Sequence, residues 1–249
     1  MAKKSRKKAG LTVSSFKTTG AHAKLEVDDK KQKTYYFKEK VKLEEAKEIA
    51  EKEGASIFGV SASDLSVSKP KIKYEFYCIY DLVWELQYLS IRKEELSVND
   101  HVKGALVGGE ILKPNKGKTV PGKALKLPIV ELYELKRTDS MIVDGRTGGL
   151  ANQMESLLTG PGKKKATPAW IRKAKVASGK ANSIDKVIRQ VSKTAKKRPK
   201  GAKRVVENQV TFKKLMGFYV PVWYVRIAVG EDKKTLRINA VNEDVGLDV

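Results

Sequence analysis

The sequence predicts an α+β protein in which antiparallel sheets are each packed by a helix, with a basic helical insert and a mobile basic N-terminal arm. Two observations point to the sheets and one to the insert. Runs such as "KIKYEFYCIYDLVWELQYLSI" (71–91) and "KLMGFYVPVWYVRIAV" (214–229) are rich in the aromatic and branched side chains that fit a pleated surface. A few short segments carry the 3.6-residue helical period instead. Lysine and arginine are gathered rather than spread: the 249 residues carry a formal +22, of which the segment 163–204 holds sixteen Lys or Arg against one acid, Asp185.

In chain order, residues 1–25 mix Lys, Ser, Thr and Gly without sustained period and read as a flexible basic arm. A first α+β module, 26–150, opens on the strand-like "KTYYFKEKVKL" and continues into "LEEAKEIAEKEG", a helix of about eleven residues stopped by Gly54. Residues 71–91 read as paired strands, "KPNKGKTVPGKALKLP" as a loop, and Thr138, Asp139 and Ser140 as a turn between two apolar runs. Residues 151–182 form a basic linker with short helices. There Thr167 supplies an N-cap and Pro168 a first-turn proline for "AWIRKAKVA", which Gly179 closes. The second module, 183–249, begins with a helix whose Ile184, Val187, Ile188, Val191 and Ala195 form one apolar stripe, capped by Ser183 and ended by Pro199 and Gly201. Strands follow, with a turn at 230–232.

"YDLVWELQY" and "YVPVWYVRI" place Tyr80 over Tyr219, Val83 over Val222, Trp84 over Trp223 and Leu86 over Val225. A duplicated α-then-β unit and two independent strands of shared chemistry both fit this echo. The strand endings "MIVDGRTGGL" and, less closely, "LRINAVNEDVGL" resemble the closing hairpin of PepSY-type or cystatin-like modules. The resemblance implies a helix resting on a curled antiparallel sheet. The second copy has Val241, Asn242, Glu243 and Asp244 where the turn glycine belongs. PepSY modules are mostly extracytoplasmic and interact with proteases, whereas this sequence reads as a cytoplasmic chain without an export signal, so the resemblance bears on fold alone.

Several chemistries are excluded. A nucleotide-binding loop needs Gly, four residues, then Gly-Lys-Ser/Thr; Gly162 and Lys163 are led by Leu157 and followed by Lys164, and the Gly117 to Thr119 run is led by Leu112. Two histidines, His22 and His101, and the single Cys78 are too few for a metal cluster, and Cys78 sits in an aromatic run that reads as core. Asp100 beside His101, and Asp139, Asp144 with Arg146, are explained by turn chemistry. The chain reads as non-enzymatic, with no cofactor and no metal. Abundant Lys and Glu with little Cys and Gln fit a heat-adapted organism.

What remains is the charge. Lys163, Lys164, Lys165, Arg172, Lys173, Lys175, Lys186, Arg189, Lys193, Lys196, Lys197, Arg198, Lys200, Lys203 and Arg204, with Lys3, Lys4, Arg6, Lys7 and Lys8 of the arm, are candidate phosphate-backbone contacts. Trp170 among them is either a core anchor or a base-stacking ring. The expected partner is DNA or RNA, within a larger protein or ribonucleoprotein assembly, at the nucleoid or the ribosome. The alternative is an assembly module whose sheets bind a partner protein and whose lysines meet an acidic surface.

Overall fold

A computed structural model describes residues 10–248; the candidate contacts Lys3, Lys4, Arg6, Lys7 and Lys8 lie outside them. Strands β1 (Glu26–Asp28) and β2 (Gln32–Tyr36) precede helix α1 (Leu43–Phe58), and β3 (Ser66–Val67) and the long β4 (Lys71–Val98) follow. Next come β5 (Ala105–Val107), β6 (Glu110–Leu112), β7 (Asn115–Lys116) and β8 (Lys123–Asp144). Short elements α2 (Glu155–Thr159), β9 (Lys164–Lys165), α3 (Pro168–Lys173) and α4 (Ile184–Ala195) lead to β10 (Ala202–Val229), β11 (Asp232–Asn239) and β12 (Val245–Leu247). The chain is therefore a mixture of helices and sheet. The main sheet runs β12-β11-β10-β4-β8-β7, with β1, β2 and β3 added along β10 and β9 added on β2, while β5 and β6 pair with each other.

The described chain divides into two compact units, each made from three stretches: 10–26, 84–137 and 195–210 form the first, and 27–83, 138–194 and 211–248 the second. In the second unit the 218–223 stretch of β10 is buried throughout, the pattern of a strand covered on both faces. Period-two alternation sorts its side chains. Phe218 and Val220 enter a cluster with Tyr77, Ile79, Met154 and Leu158, so α2 closes that face. Trp223, Val225 and Ile227 enter another with Ala46 and Ala50 of α1. Cys78 is fully buried and its thiol is pushed up to about 12 by desolvation, a core thiol as its aromatic context predicts.

Several local expectations are corrected. Helix α1 continues through Gly54, which is buried against Leu65 and Ile227, and stops at Gly59, whose φ of 67° is left-handed. The apolar stripe outweighs one unfavourable glycine. Residues 71–91 belong to one strand rather than a pair, and β8 runs straight through Thr138, Asp139 and Ser140. Those polar residues bond across the sheet instead of turning the chain: Tyr80 donates to Asp139 Oδ2 at 3.0 Å and Ser140 to Asp81 Oδ1 at 2.5 Å. The sheet is not wholly antiparallel, because β2 lies parallel to β10 from Gln32 with Leu215 to Tyr36 with Tyr219. The two echoing tryptophans have unlike surroundings: Trp223 Nε1 donates to the Val41 carbonyl, Trp84 Nε1 to Asn208 Oδ1.

The "VDGRTGGL" stretch is a turn, as its composition predicts: Asp144 exchanges backbone bonds with Gly148 and Gly149, and its carboxylate accepts from the Arg146 N–H at 2.7 Å. Residues 179–181 pair with it so closely that a Cβ on Gly179 would stand 2.3 Å from the Gly145 carbonyl oxygen and 2.6 Å from Arg146 Cα. Both obstacles are backbone and cannot rotate away. Gly179→Ala is expected to cost about 1–3 kcal/mol by overpacking, read as a melting temperature lower by about 2–12 °C.

In the first unit, Leu86, Leu89, Leu125 and Val210 are buried, and Tyr88 stacks on Tyr133 with ring centroids 4.9 Å apart. The Glu95 carboxylate accepts from the backbone N–H of Thr119 at 2.7 Å and of Lys118 at 2.6 Å, which fixes the turn before β8 and holds its pKa below the usual carboxylate value. Residues 17–25, expected to belong to a mobile arm, are tied to β10: Arg204 donates to the Lys17 carbonyl at 2.8 Å, and Ala23 N–H to the Val205 carbonyl at 2.9 Å.

Candidate nucleic-acid interface

Within the second unit, a chain of contacts gathers the predicted cations. Lys164 and Lys165 are exposed on β9, in register with Tyr36 and Tyr35 of β2. Tyr36 faces away from the Phe218 cluster and stacks on Trp170 of α3, centroids 4.2 Å apart at 20°. Trp170 also meets Tyr74 edge-on at 4.9 Å and Tyr219 of β10 at 5.5 Å. Two residues before Tyr219, Gly217 leaves room for Ile184, the first residue of α4, against the Phe76 ring. Lys164, Lys165, α3 and the start of α4 are thereby set around one stretch of sheet.

Local sequence explains each helix. Thr167 Oγ1 accepts the Trp170 N–H at 3.2 Å, and Pro168 takes the first-turn position where no N–H is required. Helix α3 ends at Lys173 rather than near Gly179, because the strand-like Lys175 and Val176 are recruited by β4: Tyr74 N–H donates to the Lys175 carbonyl at 2.8 Å and Val176 bridges Tyr74. Helix α4 starts where expected, with Ser183 Oγ accepting the Lys186 N–H at 3.3 Å, but ends at Ala195, before the Pro199 and Gly201 expected to stop it. Ile184, Val187 and Ala195 are buried and Ile188 and Val191 half-buried. The opposite face carries Lys186, Arg189 and Lys193, all exposed and spaced i, i+3, i+7, so they stand in one row along the helix.

The cations do not all play one part. Lys163 Nζ donates to the carbonyls of Gly160 at 2.8 Å and Thr159 at 3.0 Å, closing the end of α2. Lys186 Nζ donates to the Gly179 carbonyl at 3.1 Å. Arg172, Lys173 and Lys175 are exposed. In the first unit, Lys196, Lys197, Arg198, Lys200 and Lys203 are exposed and Arg204 is half-buried. Trp170 is half-buried among three tyrosines, the position of a ring that seats α3.

Apart from Asp185 in the first turn of α4, the carboxylates are elsewhere. Among the described residues, ion pairs within 4 Å join Arg92 to Glu131, Lys136 to Glu85 and Arg146 to Asp248, but none includes a lysine or arginine from 163–204. Arg189 and Lys193 are like charges at i, i+4, an arrangement that costs a helix about 0.2–0.5 kcal/mol. No group of three or more His, Cys, Asp or Glu among the described residues could hold a metal, and no described helix is long and apolar enough to cross a membrane.

The first unit also holds a feature that sequence reading missed, a cavity of about 440 Å³ between residues 22–25, Leu86 and the 196–199 segment. His22 and Ala23, within the stretch expected to be a mobile arm, pair with Val205 some 180 residues on, and nothing local in the sequence signals it. No family model matches the chain, and neither a curated protein nor a solved structure matches it.

Proposed function

We propose that the protein is a non-enzymatic nucleic-acid-binding protein that grips the phosphate backbone, largely without regard to sequence, through the cations of 163–204. One observation carries the reading: the exposed Lys186, Arg189 and Lys193 row on α4 makes no ion pair within 4 Å among the described residues, and Asp185, four residues before Arg189, is the one acid on the helix. A row of like charges on a folded helix is self-repulsive, and a polyanion relieves the repulsion while releasing its condensed counterions. Lysine, a hydrated point charge that suits a phosphate of any sequence, outnumbers arginine, the residue that most often reads guanine edges, by twelve to four in 163–204. Chromatin, ribosome-associated and DNA-handling assemblies are the settings this chemistry fits.

The test is a salt titration of binding to labelled single- and double-stranded DNA and RNA. Engaging about six to ten phosphates lowers affinity about 10³- to 10⁵-fold between 50 and 200 mM salt. Affinity that stays flat over that range overturns the reading. A second reading, an assembly module, has its own support in the β5–β6 hairpin, where the paired Leu106 and Ile111 are 73% and 75% exposed. Leu106→Ser with Ile111→Ser leaves nucleic-acid binding intact if the basic segment acts alone.

A further inference from the structure

The first unit's cavity has a basic lining. Lys24 enters from the segment before β1, and Lys196, Lys197 and Arg198 from the loop after α4; among the described lining residues there is no carboxylate. Its floor is apolar, with Leu86 and Val205 both buried. The walls are held before any ligand arrives. Ala23 N–H donates to the Val205 carbonyl at 2.9 Å, and Val205 N–H donates to His22 Nδ1 at 3.0 Å. That second bond makes Nδ1 the acceptor and leaves Nε2 as the ring's N–H donor. Asn208, also in the lining, is locked between Trp84 Nε1 at 2.8 Å and the Ala195 carbonyl at 2.9 Å.

We infer that this cavity binds a nucleoside phosphate monoester, either the terminal phosphate of a strand or a free mononucleotide, with the phosphate among Lys24, Lys196, Lys197 and Arg198 and the nucleoside over Leu86 and Val205. For the strand end, the inference rests on the nucleic-acid reading above. A monoester carries about −1.5 to −2 at neutral pH, against −1 for an internal diester, and so gains more from the four cations of the lining. It also has one ester link to lead out of a concave site where a diester has two. The volume of about 440 Å³ falls in the range of small-molecule sites, about 300–1,000 Å³, and leaves room for a nucleoside beside the phosphate. Lys196, Lys197 and Arg198 directly follow the last residue of α4, where cations favour a helix dipole; the experiment separates the two roles.

Binding of three probes is measured by fluorescence anisotropy and calorimetry: a 5′-phosphorylated single-stranded oligonucleotide, its 5′-hydroxyl twin and a nucleoside monophosphate. The full chain is compared with Lys197→Gln/Arg198→Gln, with Lys24→Gln on the opposite wall, and with Arg189→Gln/Lys193→Gln on α4. The expected result is a fivefold or greater preference for the phosphorylated strand, about 1 kcal/mol by the affinity relation. The preference falls below twofold in both cavity variants and survives in the α4 variant. A preference untouched by Lys197→Gln/Arg198→Gln and Lys24→Gln, even with a lowered melting temperature, overturns the inference. Salt-dependent binding of both oligonucleotides with equal affinity, and no binding of the monophosphate, overturns the cavity alone and leaves the backbone reading standing. Monophosphate binding lost in the cavity variants, without oligonucleotide binding, supports the site with a free nucleotide as its source and removes the backbone reading.

Discussion

Replacing Lys164, Lys165, Arg172, Lys173, Arg189 and Lys193 with glutamine is expected to weaken nucleic-acid binding by about three orders of magnitude near 100 mM salt and to flatten its salt dependence. Each phosphate contact contributes about 0.7 to the log–log slope on a single strand and about 0.9 on a duplex, so six lost contacts lower the slope by about 4 to 5. These six are chosen because all are exposed in the second unit, away from Lys163 and Lys186, whose ammonium groups already hold backbone carbonyls. Stability provides the control. A row of lysines kept for solubility or helix strength would leave a less stable protein when removed. A row held apart by mutual repulsion leaves one as stable or more so, since each like-charge i, i+4 pair costs about 0.2–0.5 kcal/mol. Thermal unfolding and anisotropy measured on one preparation therefore distinguish a binding face from a solvated one. Unchanged affinity in the sixfold variant removes the second unit from the interface.

How far this arrangement was legible in the sequence depended on how local its causes are. The start and apolar stripe of helix α4 were readable because cap and stripe are local, but its end at Ala195 falls short of the Pro199 and Gly201 expected to stop it. Thr167 and Pro168 were legible as the start of α3 for the same reason, but its end was not, since Lys175 and Val176 are drawn off by Tyr74 a hundred residues away. Thr138, Asp139 and Ser140 have turn composition, yet Tyr80 and Asp81 on the neighbouring strand bond Asp139 and Ser140 and keep them extended. Trp170 could be a stacking ring or an anchor by type alone; only the placement of Tyr36, Tyr74 and Tyr219 shows what it touches. The concentration of charge was visible in full, whereas the cavity beside Lys196 to Arg198 needs His22 and Val205 brought together and leaves no local trace.

Glu75 is the extreme case, an acid inside an aromatic run and 1% exposed. Its carboxylate accepts from Arg237 Nε at 2.7 Å and from Arg237 Nη2, from Tyr224 Oη at 2.7 Å and from Tyr77 Oη at 2.8 Å. Sheet register assembles the set: Arg237 and Tyr224 are cross-strand partners of β11 and β10, and Tyr77 lies two residues along β4 on the same face as Glu75. Desolvation is the largest influence on the carboxyl and raises its pKa, but the Arg237 guanidinium and the two hydroxyls together outweigh it, leaving the pKa below its ordinary value. Glu75→Gln keeps the shape and strands the Arg237 charge in the sheet, and is expected to cost about 3–5 kcal/mol, a melting temperature lower by about 6–20 °C. Tyr224→Phe removes one bond to the ion and should cost about 1.5–3 kcal/mol. A double replacement, Glu75→Leu with Arg237→Met, buries neither charge and should recover most of the loss. The pH dependence has a fixed sign. Because the folded pKa is lowered, the carboxylate's contribution is complete above the unfolded value of about 4.3 and disappears as pH falls through the folded one. The stability gap between the natural chain and Glu75→Gln should therefore be constant from pH 6 to 8 and narrow below about pH 4. A gap that widens on acidification would mean that the carboxyl is held protonated in the fold, with Arg237 paired elsewhere.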